Sequence, residues 1–178
     1  RCGHLDGKTL VSTAEMLGKL RAAQDARIDP ATVIVARTDA IAVEGFEAGL
    51  ERAHRYVEAG ADVLFVEALR TPEQMARVGR ELGGRVALLA NMVEGGKTPL
   101  LSITELGAIG FRLAIFPGAM VRVVGAAASQ YLATLKSDGT TRGMLDRMFD
   151  FSRLNATVGT DLMLQTGERY SAECIVKK

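Results

Sequence analysis

One unit recurs along the chain: a short β-branched apolar run, a polar loop, then apolar residues at helical spacing. Four runs have this character, Val33 to Ala36, Val63 to Val66, Val86 to Ala90 and Leu113 to Phe116. Each is apolar on successive residues, the mark of a parallel strand covered on both faces. The stretches between them carry helix starts. Ser12 with Glu15, and Ser102 with Glu105, have capping-box spacing, and Thr71-Pro72-Glu73-Gln74 places proline at the first helical position. Phe46, Leu50, Ala53 and Val57 then form one apolar helix face, as do Met75, Val78 and Leu82. After Pro117 the pattern turns to helices alone. A long Ala-rich helix is expected from about Met120 to Leu135, a break at Ser137-Asp138-Gly139, and a second helix from Gly143 to Leu154.

Alternating strands and helices predict an α/β fold with a parallel sheet and right-handed crossovers. The change after Pro117 divides the chain into a (β/α) part, residues 1–117, and a helical segment, residues 118–178. Two architectures share this grammar, the open doubly wound sheet and the closed barrel. No G-x-G-x-x-G follows any run, and Gly95-Gly96-Lys97-Thr98 lacks the first glycine of a phosphate loop and runs into Pro99, which obstructs the helix such a loop needs. Nucleotide binding therefore has no support. A closed barrel takes eight strands and about 250 residues. With four runs in 178 residues, and Arg in place of Met at position 1, the chain reads as half of a barrel and as a piece of something longer.

Composition and charge narrow the function classes. With 48% hydrophobic and 24% charged residues the chain can bury a core, which argues against disorder. Its 22 basic and 21 acidic residues leave a net charge of +1, with no basic footprint for nucleic acid or anionic lipid. No apolar run reaches the ~18 residues that a bilayer-crossing helix needs. A cytoplasmic protein with a small-molecule partner, and neither nucleic acid nor membrane, is the expectation. Cys2 and Cys174, at opposite ends, read as free thiols.

The polar residues concentrate where the apolar runs end, and in both architectures chemistry sits at the carboxyl ends of the strands. The first run leads into Arg37-Thr38-Asp39, the second into Glu67, the third into Asn91. Arg37 is suited to clamp a carboxylate or phosphate through two parallel hydrogen bonds, Glu67 to orient a hydroxyl or take a proton, and Asn91 to donate and accept at once. The alternatives stay open beside these roles. Arg37 could simply pair with Asp39 or Glu67, and Asn91 could satisfy a loop. Cys2-Gly3-His4 adds a thiol and an imidazole around a glycine, with Arg1 and His4 placed to make the thiol more reactive. A zinc site is not expected, because only His54 and Cys174 remain as further soft ligands and their spacing is wrong. His54 reads as a solvated helix residue, and Cys174 has no evident partner.

Taken together, Arg1-Cys2-Gly3-His4, Ala36-Arg37-Thr38-Asp39-Ala40, Phe65-Val66-Glu67-Ala68, the run from Ala90 to Pro99, Leu106-Gly107 and Phe116-Pro117 resemble the isocitrate lyase and phosphoenolpyruvate mutase superfamily. The likeness extends through Met148-Phe149-Asp150-Phe151 and Gly167-Glu168-Arg169-Tyr170. It implies a (β/α)8 barrel, here its C-terminal half, with terminal helices exchanged between subunits and dimers pairing into a homotetramer. It also implies magnesium. By the same likeness Cys2 is the acid or base on a mobile loop, Gly3 and His4 line that loop when closed, Arg37 binds a substrate carboxylate, and Glu67 and Asn91 contact substrate oxygens. The cysteine favours a carbon–carbon lyase over a phosphonomutase, and Arg1 before it favours the 2-methylisocitrate and dimethylmalate side. An oxaloacetate decarboxylase, or an inactive remnant serving assembly, are the alternatives. In the family the magnesium ligands precede the Cys-Gly-His motif, so no metal ligand is expected in this chain.

Overall fold

Ser12 opens the first helix: its hydroxyl accepts from the Glu15 backbone N–H at 3.1 Å, and α1 runs Thr13–Asp25. The reciprocal half of the expected capping box is replaced by a pair between the Glu15 carboxylate and Lys19, at 2.8 Å. Strand β1 (Val35–Thr38) follows, starting two residues later than the apolar run and taking in Arg37 and Thr38. Next come α2 (Ala40–Glu44), α3 (Phe46–Glu58) and β2 (Val63–Val66). Helix α4 (Pro72–Leu82) begins as expected, with Thr71 Oγ1 accepting from Gln74 N and Pro72 in the first turn. Strand β3 (Ala87–Asn91) leads to α5 (Ile103–Ala108), where the Ser102–Glu105 box is complete in both directions, and then to β4 (Leu113–Ile115).

This computed structural model describes residues 7–170. Its four strands form one parallel sheet in the order β1-β2-β3-β4. A doubly wound sheet reverses its strand order at a switch point, whereas a barrel adds each new strand to the same side. The unreversed order is that of a barrel section.

One face of the sheet is packed. Ala36, Leu64, Leu88 and Ala90 lie in a core with Leu50, Ala53 and Tyr56 of α3 and Met75, Val78 and Leu82 of α4. The other face is open at both ends, which corrects the expectation that every strand is covered on both sides. Only β2 is buried throughout. Val35 and Arg37 on β1, and Leu113 and Ile115 on β4, are exposed, because helices cover a single face and β1 and β4 are edges. Packing of α4 is close enough to require glycine: a Cβ on Gly79 would collide with the Ile109 carbonyl oxygen, in the turn where Gly110 holds φ +95°.

The chain divides after Val121 into two compact units, within the first turn of α6 (Ala119–Asp138). Helix α6 ends at Gly139, whose φ of +65° suits glycine. Beyond it the single helix expected from Gly143 to Leu154 does not form. A 3-10 segment, Arg142–Arg147, is followed by α7 (Phe151–Val158) and α8 (Thr160–Arg169). Asp150 is the reason: its carboxylate accepts from Arg153 N at 2.7 Å and fixes a new helix start, and Gly159, at φ +73°, separates α7 from α8. Among the described residues no helix is long and apolar enough to cross a membrane.

Candidate active site

The open face carries the polar residues. Strand alternation puts Arg37 beside the buried Ala36 but on the opposite face, in register with Phe65 of β2, which is itself in register with Leu89 of β3. The Arg37 guanidinium lies 4.8 Å over the Phe65 ring, an apolar support for its flat face. Asp39 precedes α2 without capping it, so its carboxylate is available elsewhere. Arg37 grips it with Nε at 2.8 Å and Nη2 at 3.1 Å. Lys8 Nζ reaches the same carboxylate at 2.7 Å. Burial would raise the pKa of Asp39, but the bonds from Arg37 and Lys8 outweigh it and hold the carboxyl below its ordinary value.

Glu67 follows β2 directly and is 6% exposed. Its carboxylate accepts from Ala68 N at 3.1 Å and from Asn91 Nδ2 at 3.2 Å, and Arg37 Nη2 lies 3.2 Å from it. Ala68 adopts φ +65°, a left-handed conformation that non-glycine residues rarely hold, and functional sites are where such strain collects. Asn91 ends β3. Its amide nitrogen serves Glu67, while its Oδ1 is buried with no donor among the described residues, the state expected of an atom that waits for a ligand or a water. A narrow cleft at this point is lined by Glu67, Ala68, Asn91, Val93, Gly96 and Lys97. A wider cleft of about 490 Å³ opens on the other side of Arg37, lined by Lys8, Val11, Asp39, Arg52 and Tyr56 among others.

The structure thus brings Arg37, Glu67 and Asn91 into one connected cluster. Cys2, Gly3 and His4 lie outside the described residues, as does Cys174. Lys8 and Arg52 are the additions. Arg52 sits on the buried side of α3, donating to the Val11 carbonyl at 2.8 Å and facing Glu44 at 3.4 Å. Burial works against its charge, but Tyr56 and Glu44 more than offset this and raise its pKa. His54 is not simply solvated: its ring bridges helices, Nε2 lying 3.0 Å from Glu81 and Nδ1 3.4 Å from Arg85. Among the described residues no group of three or more His, Cys, Asp or Glu could hold a metal ion. The two carboxylates at the strand ends, Asp39 and Glu67, are both engaged by Arg37, so the described residues do not fit a magnesium ion.

A section of a (β/α)8 barrel with a polar cluster at the carboxyl ends of its strands is the class of structure these observations define. A family model for phosphoenolpyruvate phosphomutase matches residues 3–136. The chain is 42% identical to 2,3-dimethylmalate lyase of Eubacterium barkeri, over 96% of this chain and 58% of that one. It is 49% identical to a probable 2-methylisocitrate lyase 1 of Corynebacterium glutamicum, over 86% of this chain and 50% of that one. The crystal structure of a 2,3-dimethylmalate lyase, described as a PEP mutase/isocitrate lyase superfamily member, superimposes with a TM-score of 0.83 at 36% identity, covering 97% of this chain and 57% of the other. The chain belongs to the phosphoenolpyruvate phosphomutase family, in the isocitrate lyase and phosphoenolpyruvate mutase superfamily. It spans about half the length of the curated relatives it matches.

Proposed function

We propose that this chain is part of a carbon–carbon bond lyase that cleaves a 2-hydroxy di- or tricarboxylate, of the 2-methylisocitrate or dimethylmalate type, to pyruvate and a second carboxylic acid. The observation that supports this reading is the Arg37–Glu67–Asn91 cluster with its unpartnered, buried Asn91 Oδ1. It offers a fork for a carboxylate, an acceptor for a hydroxyl proton and a second acceptor beside it. The named activities of the relatives point the same way.

In this reading Arg37 orients the substrate through a carboxylate, and Glu67 and Asn91 hold its oxygens. A base removes the proton of the substrate hydroxyl, and that oxygen becomes the carbonyl of pyruvate as the adjacent carbon–carbon bond breaks. The electron pair of the broken bond passes to the carbon beside the departing carboxylate. Cys2 then delivers a proton to that carbon, with Gly3 and His4 around it. Magnesium would take its ligands from outside the described residues. Exchange of α7 and α8 between subunits, giving a dimer of dimers in the cytoplasm, completes the proposal; it is supported by apolar side chains such as Phe151, Leu162, Met163 and Leu164 that these helices leave exposed.

The test is pyruvate release by the full protein from 2-methylisocitrate, dimethylmalate and oxaloacetate. Cleavage of a hydroxy acid, reduced about a hundredfold or more in Cys2→Ser, is the expected result. Unchanged turnover in that variant would remove the thiol from the mechanism. Preference for oxaloacetate would favour a decarboxylase, and no pyruvate from any of the three would favour an assembly module.

A further inference from the structure

The guanidinium expected to receive a substrate carboxylate already holds one. Asp39 meets Arg37 through Nε at 2.8 Å and Nη2 at 3.1 Å, the two-pronged geometry that an incoming carboxylate would use. The third bond of Asp39 crosses 31 residues to Lys8 Nζ at 2.7 Å, with the two side chains only 21% and 11% exposed. A single carboxylate therefore joins the end of β1 to the segment that leads into α1. Arg52 holds the same segment from within the fold, through its 2.8 Å bond to the Val11 carbonyl.

Two carboxylates, Asp39 and Glu67, already surround Arg37. A third cannot join them without like-charge repulsion, so one must give way. Among the described residues Glu67 has no second cation; its other donors are the neutral Asn91 amide and the Ala68 N–H. Asp39 has Lys8. A largely buried carboxylate can leave one cation only if another keeps it paired, and Lys8 meets that condition.

We propose that Asp39 is a positioning residue that occupies the Arg37 fork in place of a substrate carboxylate and yields to it, with Lys8 retaining the displaced Asp39. This rests on the reading of Arg37 as the carboxylate clamp. Once released from Arg37, Asp39 is shared by nothing but Lys8, and the Gly7–Val11 segment is held more firmly. Lys8 stands six positions after Cys2, so occupancy of Arg37 is coupled to the order of the segment next to the Cys2-Gly3-His4 motif.

The test is calorimetric titration of the full protein with oxalate, the smallest dicarboxylate, combined with hydrogen exchange at the backbone amides of residues 8–11. Asp39→Asn, which keeps the shape without the charge, is expected to bind oxalate at least threefold more tightly, and to do so at high salt, where a diffuse charge effect would fade. Lys8→Met is expected to bind at least threefold more weakly, since Asp39 then has only Arg37, and the double variant to behave like Asp39→Asn. Oxalate should slow exchange at residues 8–11 in the wild type and not in Asp39→Asn. Weaker binding in Asp39→Asn, as a mere orienting partner of Arg37 would give, overturns the proposal; so does an unchanged affinity in Lys8→Met, which carries the test alone if Asp39→Asn does not fold. Arg37→Met reports separately on the clamp. If that variant binds oxalate like the wild type, or the wild type does not bind it, Arg37 is not the clamp and the exchange falls with it.

Discussion

On the helix side of the sheet, Ala36, Leu64, Leu88 and Ala90 are buried, and Leu82, Val78 and Met75 belong to the same core. One residue away along the same strands, Arg37 and Asn91 stand on the open side, tied to Glu67 and Asp39 by charge and hydrogen bonds. The pleat separates the two roles. Side chains alternate along a strand, so the residues that close the core and those that could meet a ligand interleave without sharing a face. Stability should therefore respond to substitutions on one side and ligand binding to substitutions on the other.

The most severe test of this division is Gly79→Val on the helix side. The side chain has no space beside the Ile109 carbonyl, and neither backbone can retreat without opening the α4 packing. The expected outcome is loss of the cooperative thermal transition by circular dichroism. Leu88→Ala, which removes a fully buried side chain from the centre of the sheet, should lower unfolding stability by about 2 to 5 kcal/mol in a denaturant titration. Arg37→Met takes the cation from the buried Glu67 but leaves its bonds from Asn91 and the Ala68 N–H, so it should shift the same titration by less than Leu88→Ala does, about 1 to 2 kcal/mol, while oxalate affinity falls at least tenfold. If Arg37→Met destabilised as much as Leu88→Ala, the open face would be structural as well. The smallest effect concerns acid. The Asp39 carboxyl lies below its ordinary value of 3.8 in the folded protein, so its contribution is present above that value and is lost as pH falls through the lower folded one. Wild type and Asp39→Asn should differ in the pH dependence of stability only in that acidic window.

The regular parts of this arrangement are legible in the sequence where several local signals coincide. Helix α4 has a cap, a proline at its first position and one apolar face, and the structure reproduces each. Strand β2, buried on both sides, matches its run residue for residue. The pairing of Arg37 with Asp39 and Glu67 is also foreseeable from their positions at strand ends. Lys8 is not, because nothing local links it to a residue 31 positions away. Arg52 hides for another reason: a cation amid an apolar helix face looks solvated until the Val11 carbonyl and Glu44 are seen to meet it. Helix α2 is five residues long and has no side-chain cap, which leaves little to read. At α7 the apolar spacing runs on through Met148, and only the cap at Asp150 reveals that the helix restarts there.

The left-handed turn at Ala68 has a consequence for how the neighbouring carboxylate meets a ligand. Because Ala68 N donates to the Glu67 side chain, the acid is held by the backbone of its own successor. Its rotamer freedom is surrendered when the chain folds, together with whatever the unusual φ costs, of order 1 kcal/mol. A ligand arriving at Glu67 then finds an oxygen already aimed and loses less entropy on docking, so affinity at this corner is settled in part by a single backbone angle formed long before the encounter.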